Sequence, residues 1–588
     1  MCGIVGYIGK IKPASFLIEK LKKLEYRGYD SSGIANLDGG EIDLCKAEGC
    51  ISNLEKKLNK DMTISCAIAH TRWATHGKPS DVNAHPHASA SKKWVIVHNG
   101  IIENYLKIKE AMKRDVKSDT DTAVVAEFLD FLKVDDIQKF IRAFNVLEGS
   151  FATLAMNKSK NGQMFLAKRN SPLYLAKGED GFLIASDPIC FAHFAKNYFV
   201  FNDDEFAQIA EGKVIFYNKK GEIINKEESV LDSTFEESDK NEFAHFMIKE
   251  IYEEPKALQR QVKTYRELNL LNGFDENFIK KFNHVYFIGC GTAYHAGLIG
   301  KRYFEKLLNL RASTEMASEF AYNKPVFADE KTLFVFISQS GETADTIKAL
   351  KLAKSKGSTC IALTNVVYST LARCADFILP VCAGPEIAVA STKAYVCQLS
   401  ALYMLASHLK NYSLKNKIDF FADIEKVSKT ILNFDKEQLT KIAKQIMHES
   451  QAIFIGKDLD FITASEASLK LKEITYINAC SYPSGELKHG FLALVEEGTP
   501  IFAFASDSEV NEKTFNSANE AKSRGGVEFL FTNENQTGEN IININESNTL
   551  LMPILAIAPM QYLAYQVSIL KGINPDQPRN LAKSVTVE

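Results

Sequence analysis

The second half of the chain repeats itself at a nearly constant spacing, and this repeat narrows the folds available to it. Segment 284–289 resembles segment 451–456 at an offset of 167 residues, and three other pairs match at an offset of 168. Those pairs are 333–338 with 501–506, 353–357 with 521–525, and 364–365 with 532–533. In each copy continuous apolar strands alternate with helical segments, a pattern typical of a doubly wound parallel sheet. Such sheets bind ligands at the carboxyl ends of their strands.

The first copy carries a loop suited to binding an anion. The strand predicted at 333–337 runs into Ser338-Gln-Ser-Gly-Glu-Thr343, and a helix is predicted from there to about Lys356. Backbone N–H groups at a helix start favour an anion, and the hydroxyls of Ser338, Ser340 and Thr343 add donors. The loop has no P-loop lysine, which favours a sugar phosphate over a nucleotide. The alternative is an ordinary Ser or Thr helix cap.

The corresponding loop of the second copy has changed. At the offset of 168, Ser506-Asp-Ser-Glu-Val-Asn511 faces the first loop, and Glu509 replaces Gly341. A carboxylate about 5 Å from a phosphate repels it by roughly 3 kcal/mol at an effective dielectric of about 20. The start of a helix stabilises a bound anion by only about 0.3–1 kcal/mol. With Asp507 and Glu509 both present, we expect no phosphate binding at this loop. We expect the second copy instead to contribute Glu473 to the sugar-phosphate site of the first copy.

The amino terminus carries a candidate nucleophile. Cys2 is small enough for Met1 to be removed, which would leave a thiol and a free α-amine on one residue. An α-amine with a pKa of about 7.7–8.0 is able to take the proton of the thiol. The alternative is that Cys2 simply begins a buried strand.

Three short segments supply groups for a reaction at Cys2. They are His70-Thr-Arg-Trp-Ala-Thr-His-Gly77, His98-Asn-Gly100 and Ser118-Asp-Thr-Asp-Thr122. Arg72 is suited to holding a carboxylate, and Asn99 with the N–H of Gly100 to forming an oxyanion hole. Asp121 is suited to pairing with an amine. Each has a simpler explanation alone, since Arg–Asp pairs are commonly structural and Asn-Gly commonly forms a turn.

The chain before the repeat has a different pattern of apolar and polar residues. Up to about residue 230, short apolar or alternating runs bounded by turn residues predict a β-rich domain. The predicted strands are 64–69, 94–98, 151–156, 163–168, 182–185 and 214–217. Helices are predicted over 119–132 and 241–258, and the acid-rich segment 225–242 is predicted to be a linker or exposed hairpin.

Composition excludes several classes of function. Seventy basic against seventy-three acidic side chains give a net charge of −3, which argues against a general nucleic-acid or membrane-surface binder. The longest apolar run, 550–560, contains Pro553 and Pro559, so no membrane span is expected. Without a leader before Cys2, we expect a cytoplasmic protein.

The cysteines and histidines give no metal or disulfide signature. Eleven cysteines include no C-x-x-C pair, so we expect mostly free thiols in a reducing compartment. His85-Pro86-His87, with His70 and His76, has no matching cluster of carboxylates or thiols. We therefore expect no zinc and no other metal or cofactor.

Taken together, the motifs resemble known families. Cys2-Gly-Ile-Val-Gly6, Arg27-Gly-Tyr-Asp30 and the three segments above resemble the N-terminal-nucleophile glutaminase domain of glutamine amidotransferases. The repeated half resembles tandem sugar isomerase (SIS) domains. The whole chain resembles the glutamine–fructose-6-phosphate aminotransferase (isomerizing), or glucosamine-6-phosphate synthase, family. The resemblance implies a multidomain α/β and α+β protein, with an αββα glutaminase domain followed by two doubly wound parallel-sheet SIS domains.

The resemblance implies roles at the glutaminase site. Cys2 is expected to attack the side-chain amide of L-glutamine with its own amine as base, while Asn99 and Gly100 stabilise the oxyanion. The residues expected to bind glutamine are Arg72, Thr75, His76 and Asp121. Released ammonia is expected to pass through a protein channel gated by Trp73, although Trp73 alone is more simply explained as core packing.

It also implies roles at a site for D-fructose-6-phosphate. The residues expected to bind the sugar phosphate are Thr292, Ser338, Gln339, Ser340, Thr343, Val389, Ser391 and Lys470. Glu473 is expected to move a proton between C1 and C2, although its spacing from Lys470 is also typical of a surface ion pair. His489 is expected to assist ring opening from the neighbouring subunit of a homodimer, and Lys583 to form a Schiff base with the C2 ketone.

Two residues depart from the family pattern. Ala293 stands where a serine is common, so one hydroxyl contact to the sugar phosphate is expected to be missing. Phe491 stands where a proline is more usual, so the backbone that places His489 is expected to differ from the family pattern.

The expected domains are the glutaminase domain at 1–232, a linker with leading helices at 233–277, SIS domains at 278–412 and 440–575, and an active-site tail at 576–588.

One alternative function is that of an amidotransferase acting on another acceptor, such as a phosphoribosyl pyrophosphate amidotransferase, but its acidic pyrophosphate–magnesium loop is not found in the sequence. The other is a sugar-phosphate sensor, which would not need Cys2 or Lys583.

Overall fold

A computed structural model describes residues 2–231, 239–323 and 328–586. The chain divides into two compact units, one formed by Met1–Glu236 with Ala582–Glu588 and the other by Glu237–Leu581. Part of the predicted acidic linker, residues 232–238, lies outside the described residues. The finer domain boundaries stay predictions.

Two antiparallel sheets form the described part of the first unit. The eight-stranded sheet contains β1 (Gly3–Pro13), β2 (Ser31–Asp38), β3 (Glu41–Glu48), β4 (Thr63–Arg72), β9 (Tyr174–Gly178), β10 (Gly181–Ala185), β11 (Asn197–Val200) and β15 (Ser229–Val230), in the order β15-β11-β9-β10-β1-β4-β2-β3. The seven-stranded sheet contains β5 (His87–Ala88), β6 (Trp94–Ile102), β7 (Gly149–Asn157), β8 (Gln163–Arg169), β12 (Glu205–Ala210), β13 (Lys213–Tyr217) and β14 (Ile223–Ile224), in the order β14-β13-β12-β8-β7-β6-β5.

Helices cover the outer faces of these sheets. They are α1 (Ser15–Lys22), α2 (Ile51–Lys57), α3 (Tyr105–Met112), α4 (Asp121–Phe131) and α5 (Ile137–Asn145), with 3-10 turns at Glu25–Arg27 and Pro188–Phe191. The first two pack on the eight-stranded sheet, and α3 to α5 pack on the other. The helix predicted over 119–132 is α4, which begins after Thr120 because the Thr120 side chain accepts a hydrogen bond from Ala123 N–H.

Side-chain alternation along β1 explains why the sheets form inner layers. Val5 and Tyr7 pack in the core under α1 and α2, whereas Ile4 and Ile8 pack in a second core shared with the seven-stranded sheet. Because successive residues of a strand point to opposite faces, β1 needs apolar partners on both sides. The result is the expected αββα order of layers.

The second unit contains two parallel sheets. The first has β16 (His284–Gly289), β17 (Ala312–Met316), β18 (Thr332–Ser338), β19 (Thr359–Thr364) and β20 (Phe377–Pro380), in the order β17-β16-β18-β19-β20. The second has β21 (Gln451–Gly456), β22 (Asn478–Pro483), β23 (Pro500–Ala505), β24 (Val527–Thr532) and β25 (Ile541–Asn543), in the order β22-β21-β23-β24-β25. The two strand orders are the same, so the repeat predicted from sequence is confirmed as a duplicated doubly wound fold.

Helices flank both sheets. They are α6 (Phe246–Tyr252), α7 (Glu254–Glu267), α8 (Glu276–Ile279), α9 (Thr292–Leu308), α10 (Ala317–Asn323), α11 (Ala344–Ser355), α12 (Thr370–Cys374), α13 (Lys393–Asn411), α14 (Phe420–Thr430), α15 (Lys436–Ile446), α16 (Leu459–Thr475), α17 (Asn511–Lys522) and α18 (Met552–Leu570), with 3-10 turns at Ser484–His489 and Phe491–Leu494. The single helix predicted over 241–258 is wrong in detail. It breaks at Glu253, because Pro255 lacks an N–H and occupies the first turn of α7.

The helix after the first strand is the most similar element of the two copies. Both α9 and α16 have 17 residues. Gly291 before α9 has φ 53° and ψ −124°, and Asp458 before α16 has φ 51° and ψ −119°. Left-handed residues end both helices, Asn309 at φ 51° and Tyr476 at φ 63°. The two copies therefore share backbone detail as well as topology.

One described helix has the length and apolar character of a membrane span. This is α18, but 83% of its most apolar window is buried inside the structure. Burial of that extent is typical of a core helix. The prolines noted in the sequence lie in its first turn and in its interior, at Pro559.

The core between the two sheets of the first unit gives a stability prediction. Leu154 on β7 is fully buried there, whereas Leu44 on the edge strand β3 is 39% exposed. We expect Leu154→Ala to lower the free energy of unfolding by about 2–5 kcal/mol, because it leaves a cavity. Both tryptophans of the chain, Trp73 and Trp94, lie in this unit, so tryptophan fluorescence during urea unfolding reports on it. Leu44→Ala is the control, and an equal loss in both variants would contradict this packing.

Candidate functional site

Cys2 precedes the strand at the centre of the eight-stranded sheet. Its Sγ accepts a hydrogen bond from Trp73 N–H at 3.4 Å and donates to Trp73 O at 3.6 Å. This contact exists because β1 pairs with β4 in a register that sets Gly3 opposite Thr71. Burial raises the pKa of the Cys2 thiol, and the Arg72 guanidinium opposes that shift. The thiol therefore needs a base before it is able to act as a nucleophile.

Arg72 ends β4 beside Cys2 with a buried guanidinium, 3% exposed. Its Nη2 donates to His76 O and, at 3.1 Å, to Gly77 O. Its Nη1 is buried with no hydrogen-bond partner among the described residues. An unpaired buried donor of this kind is unfavourable unless a ligand satisfies it. A carboxylate is the group that a guanidinium pairs with best.

Asn99 is held in one orientation by its neighbours. Its Nδ2 donates to the carbonyl oxygen of Cys2 at 3.0 Å, and its Oδ1 lies 3.1 Å from His70 Nε2. A carbonyl only accepts, so the Asn99 amide must turn its oxygen toward His70, and His70 Nε2 must carry the proton. That proton also faces His98 O at 3.2 Å. One N–H of the Asn99 amide remains for an oxyanion.

His70 belongs to a group of buried histidines that are neutral in this fold. Burial, with the nearby charge of Arg72, lowers the pKa of His70 to about 3. Its ring stacks on His85 at 4.1 Å, and burial also lowers the pKa values of His85, His87 and His98. A neutral ring with one donor nitrogen suits the orienting of an amide.

Gly100 has a conformation that only glycine tolerates. Its φ is 134°, and a Cβ added here would lie 2.1 Å from Ser150 O. Any side chain here would collide with the backbone of β7, so glycine is required after Asn99.

Asp121 begins α4 and is fixed by backbone donors. Its Oδ2 accepts from Ile102 N–H at 2.8 Å, and its Oδ1 accepts from Thr122 N–H at 2.8 Å. The side chain is only 5% exposed. Each carboxylate oxygen has further acceptor capacity, which suits an ammonium group.

The other predicted residues of this site lie on the segment after β4. Trp73 is half-buried, and its contact with Cys2 runs through its backbone. Thr75 is exposed, and its Oγ1 lies 3.4 Å from His76 Nδ1. The His76 ring packs edge-on against Tyr105 at 5.5 Å.

The motif Arg27-Gly-Tyr-Asp30 has a structural role at this end of the sheet. Arg27 is buried and pairs with Asp187. Asp30 Oδ2 accepts from Ala74 N–H at 2.8 Å, which fixes the segment carrying Trp73.

In the second unit, Ser338 to Thr343 form a compact turn between β18 and α11. Ser338 Oγ accepts from Gly341 N–H at 3.0 Å and lies 3.2 Å from Thr343 Oγ1. Ser340 Oγ accepts from Glu342 N–H at 3.2 Å, and Gln339 is half-buried. Three hydroxyls are thus gathered before the first turn of α11.

Gly341 is required in this turn. Its φ is 65°, and a Cβ added there would lie 1.9 Å from Ser369 Oγ. Any other residue would displace the loop that carries Ser369.

A buried ion network surrounds Lys470 on α16. Lys470 pairs with Glu473 and, at 3.3 Å, with Glu466. It also donates to Thr292 Oγ1 at 3.1 Å, and His295 Nδ1 lies 2.6 Å from Glu466 Oε2. Burial alone would lower the pKa of Lys470, but the carboxylates of Glu473 and Glu466 raise it above its ordinary value. Lys470 is thus a buried cation, which rules out the surface ion pair.

The sequence reasoning missed Glu466 and His295 as members of this network. Glu466 is fully buried, and Lys470 with His295 lowers its pKa against the effect of burial. The spacing of four residues between Glu466 and Lys470 was a signal that could have found it. His295 had no local signal, because it lies on α9.

Val389 and Ser391 lie just before α13. Val389 N–H donates to Asp576 O at 3.2 Å, and Ser391 Oγ donates to Glu386 Oε2 at 2.9 Å. Glu386 also accepts from the N–H groups of Thr392 and Ala394. This carboxylate fixes the turn that presents Ser391.

The last two predicted residues lie apart from these networks in sequence. His489 is exposed at the end of the 3-10 turn Ser484–His489, and Phe491 stacks on Tyr482 at 3.8 Å. Lys583 is half-buried in the tail Ala582–Glu588, which belongs to the first unit. Across the described ranges, no group of three or more His, Cys, Asp or Glu side chains is placed to hold a metal ion.

Comparison with known families agrees with both halves. Residues 70–193 match the glutamine amidotransferase domain family, and residues 278–408 and 445–571 each match the SIS domain family. The chain is 41% identical over 613 residues to the glutamine–fructose-6-phosphate aminotransferase (isomerizing) of Clostridium acetobutylicum, and 38% identical over 604 residues to that of Bacillus subtilis. Each comparison covers all of both chains.

Solved structures resemble the second unit. The C-terminal domain of glucosamine-fructose-6-phosphate aminotransferase from Francisella tularensis matches with a TM-score of 0.53 and 35% identity, covering 58% of this chain and all of that one. The tagatose-6-phosphate ketose/aldose isomerase of Escherichia coli matches with a TM-score of 0.51 and 16% identity, covering 58% of this chain and 96% of that one, which shows the fold alone. The resemblance inferred from the motifs is confirmed, and the chain belongs to the glutamine–fructose-6-phosphate aminotransferase (isomerizing) family.

Proposed function

We propose that this chain makes glucosamine-6-phosphate from D-fructose-6-phosphate with ammonia taken from L-glutamine. Membership of the aminotransferase family, over the full length of its relatives, supports this activity. The observation that carries it is the thiol of Cys2 beside an Asn99 amide that is already oriented, in a chain whose other half is a duplicated SIS fold. Glutamate and an aminosugar, identified by mass spectrometry after incubation with both substrates, would test it directly.

The glutaminase half works through covalent catalysis. After removal of Met1, the α-amine of Cys2 takes the thiol proton and Sγ attacks the side-chain carbonyl carbon of glutamine. The carbonyl electrons move to oxygen, where the free N–H of Asn99 and the N–H of Gly100 stabilise the oxyanion. Ammonia leaves with the transferred proton, and water hydrolyses the thioester to give glutamate.

Binding of glutamine uses the charges around Cys2. The unpaired Nη1 of Arg72 takes the α-carboxylate, and Asp121 takes the α-ammonium. Thr75 and His76 complete the pocket from the adjoining segment. Trp73, whose backbone holds the thiol, is proposed to gate the passage of ammonia.

Replacing the nucleophile gives the first functional prediction. Cys2→Ala should reduce glutamate release to the background rate while leaving binding of fructose-6-phosphate unchanged, because Cys2 is not among the residues proposed to bind the sugar phosphate. The matched control is Cys66→Ala, which removes a buried thiol on β4. Intact mass should show Met1 absent. Normal glutaminase activity in protein that retains Met1 would contradict the role of the amine.

The orientation of Asn99 by His70 gives the second functional prediction. Asn99→Ala should lower kcat for glutamine hydrolysis by about 10²–10³-fold, as for loss of one oxyanion donor. His70→Ala should lower kcat without raising KM, and His70→Gln should recover part of the loss because Gln keeps a donor near the same place. In the Asn99→Ala background, His70→Ala should add little. Multiplicative losses in the double variant would show that His70 acts independently of Asn99.

The sugar half uses the groups around Lys470. We propose that Ser338, Gln339, Ser340 and Thr343 bind the phosphate, and that Thr292, Val389, Ser391 and Lys470 bind the rest of the sugar. Lys583 forms a Schiff base with the C2 ketone and releases water. Ammonia then adds at C2 and displaces the Lys583 amine, which leaves a ketose imine. Glu473, beside the cationic Lys470, takes a proton from C1 and returns it to C2, which converts that imine into the 2-amino aldose.

His489 is proposed to assist ring opening in the site of a partner subunit. Its exposure at the end of a 3-10 turn supports a role outside its own subunit. A homodimer in which each site combines groups from both chains follows from this proposal.

Mixing inactive subunits gives the third functional prediction. Lys583→Ala and His489→Ala homodimers should each be inactive in aminosugar synthesis. After subunit exchange, one site of each hybrid dimer has both intact residues, so about a quarter of the wild-type activity should return. Exchange of Lys583→Ala with Lys583→Arg subunits is the control and should return none. No recovery in confirmed hybrids would place His489 in the site of its own chain.

A cytoplasmic location is also proposed. All eleven cysteines are unpaired in the structure, as is common in reducing compartments. Recovery of the protein in the medium or envelope fraction of its cells would contradict this.

A further inference from the structure

Asp460 in the second repeat occupies the position that Ala293 occupies in the first. The helices α9 and α16 begin at equivalent residues, Thr292 and Leu459, after cap residues with nearly the same dihedral angles. The preceding strands contact the two positions alike. A Cβ on Gly289 would lie 2.8 Å from the carbonyl carbon of Ala293, and one on Gly456 would lie 2.5 Å from that of Asp460.

The Asp460 carboxylate is bound by the loop that corresponds to the phosphate loop. Ser506 N–H donates to Asp460 Oδ2 at 2.8 Å, and Ser506 Oγ donates to Asp460 Oδ1. Ser338 ends β18 and pairs with Thr364, just as Ala505 ends β23 and pairs with Thr532. Ser506 follows Ala505 directly and is therefore the counterpart of Gln339 in the first loop. Asp460 is 4% exposed, so its charge is held inside the fold.

The two repeats differ in the side chain that meets this loop. Five residues separate strand from helix in both, 339–343 after β18 and 506–510 after β23. In the first repeat Ala293 has no side-chain donor or acceptor. In the second repeat the Asp460 carboxylate reaches Ser506, the first residue of the loop.

The carboxylates that the sequence alignment placed in this loop do not fill it. Asp507 is only half-buried, and Glu509 is exposed. In the sheet register the offset between β18 and β23 is 167, so Glu509 corresponds to Glu342 and not to Gly341. Exclusion of a phosphate by Asp507 and Glu509 stays a prediction, and the carboxylate that is buried at this loop is that of Asp460.

We propose that the Asp460 carboxylate is a resident anion that fills the former phosphate site of the second repeat, and that its removal opens a second site for a phosphate monoester. This proposal rests on the proposed role of Ser338 to Thr343 in phosphate binding. A carboxylate and a phosphate present similar acceptor oxygens to an N–H and a hydroxyl at a helix start. The chain thus supplies its own substitute for the ligand.

The hydrogen bonds between Ser506 and Asp460 also act as a fixed tie within the second repeat. They join the end of β23 to the start of α16, the helix that carries Glu466, Lys470 and Glu473. In the first repeat the equivalent tie, from β18 to α9, would form only when a sugar phosphate is bound. The second repeat therefore holds its helix in place whether or not substrate is present.

Calorimetric titration of the full-length protein with sorbitol 6-phosphate, a sugar phosphate without a carbonyl, tests the proposal. Wild type should bind one molecule per chain, and Asp460→Ala should bind two. Asp460→Asn is the matched control, since it keeps the volume of the side chain, and should bind one. Adding Ser338→Ala and Thr343→Ala to Asp460→Ala should remove only the first site, which assigns the second to Ser506.

The outcomes separate this proposal from the proposed function. Two molecules per wild-type chain, or one per folded Asp460→Ala chain, would overturn the resident anion. No binding to wild type with one molecule bound to Asp460→Ala would support it while overturning the proposed role of the first loop. If Asp460→Ala is unstable, inorganic phosphate should raise its melting temperature more than that of Asp460→Asn. Equal rises would overturn the proposal.

Discussion

The pairing of β1 with β4 is the constraint on which the first unit depends. Ladder hydrogen bonds fix Gly3 opposite Thr71, and this register alone carries Cys2 to the backbone of Trp73 and to the guanidinium of Arg72. A slip of one residue would turn Ile4 away from the inter-sheet core and Val5 away from the helices. The apolar pattern on both faces therefore fixes the position of the Cys2 thiol.

A buried charge has the corresponding part in the second unit. Lys470 is enclosed by Glu466 and Glu473, and removing either carboxylate would leave an ammonium poorly compensated in a dry interior. Thr292 and His295 bring α9 into the same network. The two halves of the duplicated fold are thus joined by polar contacts as well as by a shared apolar core.

Much of this architecture could be predicted from the sequence, and the physical reason is periodicity. Apolar strands repeated at one offset predicted two copies of one sheet, and the Ser338 turn was recognisable because hydroxyls and a glycine follow a strand directly. His70 and His295 were not recognised as partners of Asn99 and Glu466, because such contacts arise between residues distant in sequence. The structural offset of 167 between β18 and β23 was also hidden, since similar residue types at an offset of 168 masked a shift of one residue in the strand.

The cap residue Asp458 has a consequence for how the duplicated fold has diverged. It keeps the backbone angles of Gly291, which a residue with a Cβ adopts at a strain of about 1–3 kcal/mol. Its carboxylate pairs with Arg302 at 2.8 Å and Lys306 at 2.6 Å, both on α9, and these pairs offset part of the strain. One path of the chain is therefore kept by two different residues: glycine adopts it freely in the first copy, and an electrostatic link between the copies holds it in the second.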